Sequence, residues 1–157
     1  FRTFDDIITR YNLEKIKTVG DAYIAVGGLS EINDSTPSTV IAAAIEMQEF
    51  VKSEYNKKVK LGQDGFQMRM GVHFGPVVAG VVGNKKFAFD IWGDTVNVAA
   101  RLQENGMPEK INISAVLYEK IKSDYTCTPR GKIQIKNHGE LEMYFVENPV
   151  NSQKISS

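Results

Sequence analysis

The chain has 157 residues, 42% hydrophobic and 24% charged, the size and composition of one ordinary globular domain. Lys plus Arg and Asp plus Glu both number 19, so no overall field draws it to nucleic acid or an anionic membrane, and any phosphate binding must come from local placement. No apolar run approaches the roughly 20 residues of a membrane span, no secretory leader is read at the start, and the single cysteine, Cys127, excludes an internal disulfide and a cysteine-based zinc cluster. The expected setting is the cytoplasm.

Phe4, Ile7, Ile8 and Tyr11 recur at spacings of three and four and predict a first helix. Phe1 falls inside that pattern, so the sequence is expected to open partway through a domain. Strands are expected over 13–18 and 23–26, joined by a tight connection containing Gly20 and Asp21. Behind a Thr36 cap, Pro37 starts a second helix with Val40, Ala44, Met47, Val51 and Tyr55 in one stripe. A charged loop is expected over 57–65, then a strand over 66–74 ended by Gly75-Pro76, and a hairpin pairing 77–82 with 87–91. Val96, Ala99, Ala100 and Leu102 predict a helix from Asp94, with Asp94 as its cap and Asn105-Gly106 at its end. A brief strand over 111–113, a short helix over 115–121 and strands over 125–128 and 142–147 complete a single domain over 1–149, followed by a loose tail over 150–157. Mixed helices and hairpins predict an α+β fold, with helices on one face of an antiparallel sheet.

Several polar residues lie where these apolar elements turn or begin, the positions from which fixed side chains reach ligands. Asp21 at a strand turn is a hard oxygen donor suited to Mg²⁺, although Asp is also ordinary turn chemistry. Lys17, four residues earlier, suits a base edge or a phosphate, or is a solvated strand lysine. Asp90, between Phe89 and Ile91, costs desolvation unless something binds it, as a purine amino group would. Asn97 and Arg101 share a helix face, from which an arginine can neutralise a phosphoryl group in transfer, or simply face water. Gly75, Gly80 and Gly83 with Lys85 and Lys86 lack the P-loop spacing and read as a hairpin with a basic tip. His73 and His138 are too few for a metal site, and Cys127 reads as a small core residue.

Taken together, the segments Glu14-Lys15-Ile16-Lys17-Thr18-Val19-Gly20-Asp21-Ala22-Tyr23, Gly71-Val72-His73-Phe74-Gly75-Pro76-Val77, Asp90-Ile91-Trp92-Gly93-Asp94-Thr95-Val96-Asn97-Val98-Ala99-Ala100-Arg101-Leu102 and Tyr144-Phe145-Val146 closely resemble the catalytic domain of class III nucleotidyl cyclases. The resemblance implies a ferredoxin-like α+β core, a head-to-tail homodimer with sites between protomers, and conversion of a nucleoside triphosphate to its 3′,5′-cyclic monophosphate and pyrophosphate with two Mg²⁺ or Mn²⁺ ions. It implies that Asp21 is the second of two metal-binding aspartates, that Lys17 and Asp90 select adenine, that Asn97 orients the ribose, that Arg101 stabilises the transition-state charge and that Lys136 binds the triphosphate. Guanine-selective members resemble this pattern with Glu at the lysine position and a small residue, often Cys, at the aspartate position, so ATP is the expected substrate.

Two departures accompany the resemblance. Asn137 and His138 replace the more usual Gly-Lys after Lys136, and the family's first metal aspartate, in a Phe-x-Asp-Ile-x-Gly-Phe-Thr segment, has no counterpart here. The parent protein is therefore expected to be an adenylate cyclase, and this span alone to be inactive for want of one metal ligand, the first strand and a covering helix. The alternatives are a guanylate cyclase, a noncatalytic cyclase-like domain that dimerises and regulates, and another palm-type enzyme, the last disfavoured by the absence of a Gly-Gly-Asp-Glu-Phe segment. Membrane attachment is expected only through regions outside this span.

Overall fold

The structure, a computed structural model, describes residues 1–29, 35–84, 88–136 and 139–150, without the side chains of Ala88 and Phe89. Helix α1 (Arg2–Arg10) buries Phe4, Ile7 and Ile8 against Ala43, Met47 and Val51 of α2 (Pro37–Lys60). Thr36 caps α2, its hydroxyl oxygen accepting from the Thr39 N–H at 3.2 Å. The helix runs on through 57–60, where a charged loop was expected. Lys57, Lys58 and Lys60 occupy its last turn, where cations meet the negative end of the helix dipole.

Between these helices, β1 (Glu14–Val19) and β2 (Ala22–Val26) form an antiparallel hairpin. Val19 pairs with Ala22, which leaves a two-residue loop with Gly20 in its first central position at φ +59°, the geometry a primed hairpin turn asks of glycine. Strand β4 (Val78–Val82) pairs with β5 (Ala88–Trp92) in a second hairpin. The tip residues Lys85 and Lys86 lie outside the described residues, as do Asn137 and His138 and the tail from 151.

The main sheet has the order β3, β6, β8, β7, with β3 at Met70–Val72, β6 at Ile111–Ser114, β7 at Tyr125–Ile135 and β8 at Gly139–Pro149. Strand β3 is far shorter than the expected 66–74 and runs parallel to β6, so the sheet is mixed. Its partner sets its length, because β6 is confined between Pro108 and the start of α4 (Ala115–Ile121). The last two strands are longer than expected. Strand β7 runs on through Pro129 and Gly131 because it is an edge strand that absorbs them as an irregularity in register, with Gly131 at φ +112°.

Helices cover both faces of this sheet. Ile111 and Ile113 join Ile41 and Ala44 of α2 and Leu117 and Ile121 of α4 on one side. Val98 and Leu102 of α3 (Asp94–Glu104) pack with Ile135 and Met143 on the other. The expectation of helices on one face fails because α3 follows β5 and returns across the opposite side, where a glycine in β3 admits it. A Cβ at Gly71 would collide with the backbone of Gln103 and Ala99, so helix and strand touch main chain to main chain. The α+β class holds, and the helix carrying Asn97 and Arg101 has a face to itself.

Candidate nucleotide site

Lys17 and Asp90 meet although they lie in different hairpins. Lys17 Nζ donates to Asp90 Oδ2 at 2.9 Å, and Asp90 Oδ1 accepts the Ile91 N–H at 2.8 Å. The ammonium holds the Asp90 carboxyl below the usual carboxylate range, helped by that backbone donor. Asp90 retains 18% side-chain exposure and Lys17 45%, so a charged donor and a charged acceptor stand side by side at an open rim. The desolvation expected for Asp90 is thus offset by a protein cation.

The β1–β2 hairpin is fastened to α1. Tyr23 donates its hydroxyl to Asp5 Oδ1 at 2.7 Å, and Lys15 Nζ lies 3.5 Å from the same carboxylate. The Tyr23 bond lowers the Asp5 pKa, while burial raises that of Tyr23. Asp21, at the hairpin tip, is exposed and forms no ion pair with another described residue. An exposed carboxylate on a two-residue loop fits a divalent cation shared with phosphate oxygens, because Mg²⁺ is commonly held by one or two carboxylates plus substrate. It does not make a cage: among the described residues no group of three or more His, Cys, Asp or Glu is placed to hold a metal.

On α3, Gly93 at φ +121° is the N-cap and Asp94 the first helical residue, so Asp94 is not the cap that its position suggested. A carboxylate there still complements the dipole. Asn97 is exposed on the first turns. Arg101, one turn further on, donates from Nη1 to Glu104 Oε2 at 3.2 Å and from Nη2 to the Gln134 carbonyl at 3.4 Å. That contact lays the guanidinium along β7, two residues before Lys136, which is exposed at the strand's end. The structure therefore joins Lys17 to Asp90 directly and Arg101 to the strand leading to Lys136. It bonds Asp21 to none of them.

His73 and Cys127 have ordinary structural surroundings, and His138 lies outside the described residues. His73 lies just past β3 and shares a 2.6 Å hydrogen bond with Ser114 Oγ, the atom that caps α4 by accepting from Leu117 N–H. Burial pushes the Cys127 thiol up to about 11, which suits a small core residue and not a nucleophile. Asn112, fully buried in β6, went unremarked in the sequence, where a polar residue between Ile111 and Ile113 was the available signal. Among the described residues no helix is long and apolar enough to cross a membrane.

Comparison with known proteins agrees with this geometry. The adenylate and guanylate cyclase catalytic domain matches residues 1–148. Rat (Rattus norvegicus) guanylate cyclase soluble subunit beta-2 is 33% identical over 153 residues, 97% of this chain and 22% of that protein. An adenylate cyclase of Mycobacterium tuberculosis is 31% identical over 146 residues, 93% of this chain and 32% of that one. The chain thus spans less than a third of either curated relative. The guanylate cyclase domain of RhGC from Catenaria anguillulae, solved with GTP, superposes with a TM-score of 0.83 at 30% identity, covering 94% of this chain and 79% of that one. From the family match across nearly its whole length, the chain belongs to the adenylate and guanylate cyclase catalytic-domain family.

Proposed function

We propose that this chain belongs to the catalytic domain of an adenylate cyclase, which converts ATP to 3′,5′-cyclic AMP and pyrophosphate for intracellular signalling, with residues 1–149 contributing all of the assigned site except the first metal aspartate. The observation that carries the choice of base is the Lys17–Asp90 pair at 2.9 Å. Adenine presents a 6-amino donor beside the N1 acceptor. Asp90 facing the first and Lys17 facing the second satisfy both, whereas guanine's O6 and N1–H would meet like with like.

The remaining residues divide the work of cyclisation. The ribose 3′-hydroxyl releases its proton to water as its oxygen bonds to the α-phosphorus and the bond to pyrophosphate breaks. Asn97 holds the ribose for that attack, Arg101 neutralises charge on the phosphoryl oxygens, and Lys136 holds the β- and γ-phosphates. Asp21, from the facing protomer of a head-to-tail homodimer, would hold Mg²⁺ or Mn²⁺ with an upstream aspartate. The two cations, when bound, supply positive charge to the phosphate oxygens and the leaving group. In this reading two protomers complete the set, Asp21 coming from one and Lys17, Asp90, Asn97, Arg101 and Lys136 from the other.

The test is turnover of ATP and GTP by the full-length protein, with solution mass measured alongside. Cyclic AMP formed by a dimer with a higher kcat/KM for ATP supports the reading. A higher kcat/KM for GTP replaces it with a guanylate cyclase, and no turnover of either replaces it with a regulatory dimerisation domain.

A further inference from the structure

The C-terminal end of α3 is captured in an unusual way. Helices leave their last carbonyls without intrahelical partners. Here the carbonyls of Leu102, Glu104 and the C-cap Asn105 receive side-chain donors from other segments, and those of Arg101 and Gln103 receive local ones. The Arg101 carbonyl accepts the Asn105 N–H at 3.0 Å and Asn105 Nδ2 at 2.9 Å. The Leu102 carbonyl accepts Asn112 Nδ2 from β6 at 2.9 Å, and the Gln103 carbonyl accepts the Gly106 N–H at 3.1 Å. The Glu104 carbonyl accepts Arg69 Nη1 at 3.2 Å, and the Asn105 carbonyl accepts Arg130 Nη1 from β7 at 2.6 Å. Arg130 is half-buried and lies with its guanidinium 4.4 Å from the Phe145 ring centre, a platform that fixes its direction.

We propose that Arg130 and Asn112 are positioning residues that fix the last turn of α3, and through it the place where Arg101 presents its guanidinium to the transferring phosphate. The inference rests on the cyclase reading given above. Two observations separate it from ordinary stabilisation. Asn112 leaves its Oδ1 buried and without a hydrogen-bond partner among the described residues, flanked in sequence by Ile111 and Ile113. An aliphatic residue there would avoid that cost, so the amide is better accounted for by its Nδ2, which donates to the Leu102 carbonyl of α3 and more weakly to Met143 Sδ at 3.3 Å. The clamp is also concentrated at the turn that begins with Arg101. The Gly71 contact, which abuts Ala99 and Gln103, fixes the height of the helix on the sheet, and the side-chain donors fix its rotation and its position along its axis.

The experiment uses the full-length protein with Arg130→Met, Arg130→Lys and Asn112→Leu, each alone and combined with Arg101→Ala. Arg130→Met and Asn112→Leu are expected to lower kcat roughly tenfold or more while KM stays within about twofold, because a small misplacement of a charge-stabilising group costs the transition state and not binding. Arg130→Lys, which keeps a cationic donor at the helix end, recovers most of the loss. Neither Arg130→Met nor Asn112→Leu lowers kcat further once Arg101 is alanine. An equal loss in both backgrounds overturns the proposal, as does an unchanged kcat in Arg130→Met. Amide exchange is read in parallel and does not depend on turnover. Faster exchange confined to residues 98–105 in Arg130→Met supports the clamp, and exchange identical to the wild type overturns it. If the wild type turns over neither nucleotide, the cyclase reading has failed and exchange alone decides the clamp.

Discussion

Lys17 Nζ and Asp90 Oδ2 are 2.9 Å apart across 73 positions of sequence. The contact ties the hairpin that carries Asp21 to the strand that leads into α3, so this pair also sets the spacing between that hairpin and the helix. An ion pair this exposed adds little stability by itself. What it does is place a charged donor and a charged acceptor next to each other at an open rim, the arrangement on which the proposed base selection rests.

Exchanging that pair should move specificity. Lys17→Glu with Asp90→Cys is expected to lower the ratio of kcat/KM for ATP over GTP by about a hundredfold, since the exchanged groups no longer match adenine's donor and acceptor and the introduced glutamate would accept from guanine. The measurement is both nucleotides assayed separately in the full-length protein, and an unaltered ratio refutes the assignment.

The same pair has a signature in pH. Asp90 is held below its ordinary carboxylate pKa, first by Lys17 and then by the Ile91 N–H. A depressed folded-state value contributes stability that is fully present above the unfolded value of about 3.9 and is lost as pH falls through the lower folded value. Wild type should therefore exceed Asp90→Asn in stability near neutrality, with the difference closing in strong acid. Urea midpoints measured from neutral to strongly acidic pH show this, and a difference that widened in acid would contradict it.

Replacing Arg101 with alanine should lower kcat by about a hundredfold or more with a small change in KM, the pattern for a group acting mainly on the transition state. Arg101 is exposed and bonded only at its edges, so the thermal midpoint should barely move. A full kcat in this variant removes the role assigned to it.

Asp21→Asn should abolish metal-dependent turnover, and raising Mg²⁺ or Mn²⁺ should restore at most part of it, because a neutral amide is a weaker ligand for a hard cation. Exposure at a hairpin tip limits the effect on folding to about 0.5 kcal/mol. Metal titrations of turnover, beside a melting curve, separate the two. Wild-type metal dependence in the variant would exclude Asp21 as a ligand.

Gly71→Ala should cost about 2 kcal/mol, since its methyl group meets main-chain atoms of Ala99 and Gln103 that cannot rotate away. For a domain of this size the midpoint should fall on the order of 5 °C, and kcat should fall with it as α3 lifts. A stability equal to the wild type would show that helix and strand are less closely packed than described.

Local chemistry was legible in the sequence. The Thr36 cap, the start of α2 at Pro37, the bounds of α4 and the tight loop at Gly20-Asp21 each follow from a few adjacent residues whose backbone preferences suffice. The motifs around Lys17, Asp21, Asp90, Asn97 and Arg101 were equally visible, because charge interrupting an apolar element is costly and stands out. Partnership between distant segments was not. The ends of β3, the run of β7 through Pro129 and Gly131, and the face on which α3 lies depend on what each element pairs with, and no window of neighbouring residues contains that information.

By itself, then, the sequence determined the α+β class, the family and the residue types of the site, since periodicity, turn chemistry and motifs are properties of contiguous stretches. Tertiary structure decided that Lys17 and Asp90 touch, that Arg101 lies along β7, and that Asn112 and Arg130 grip the end of α3. Those are contacts across tens of residues, created only when strands pair and the helix settles on a glycine, so they come into being with the packed core.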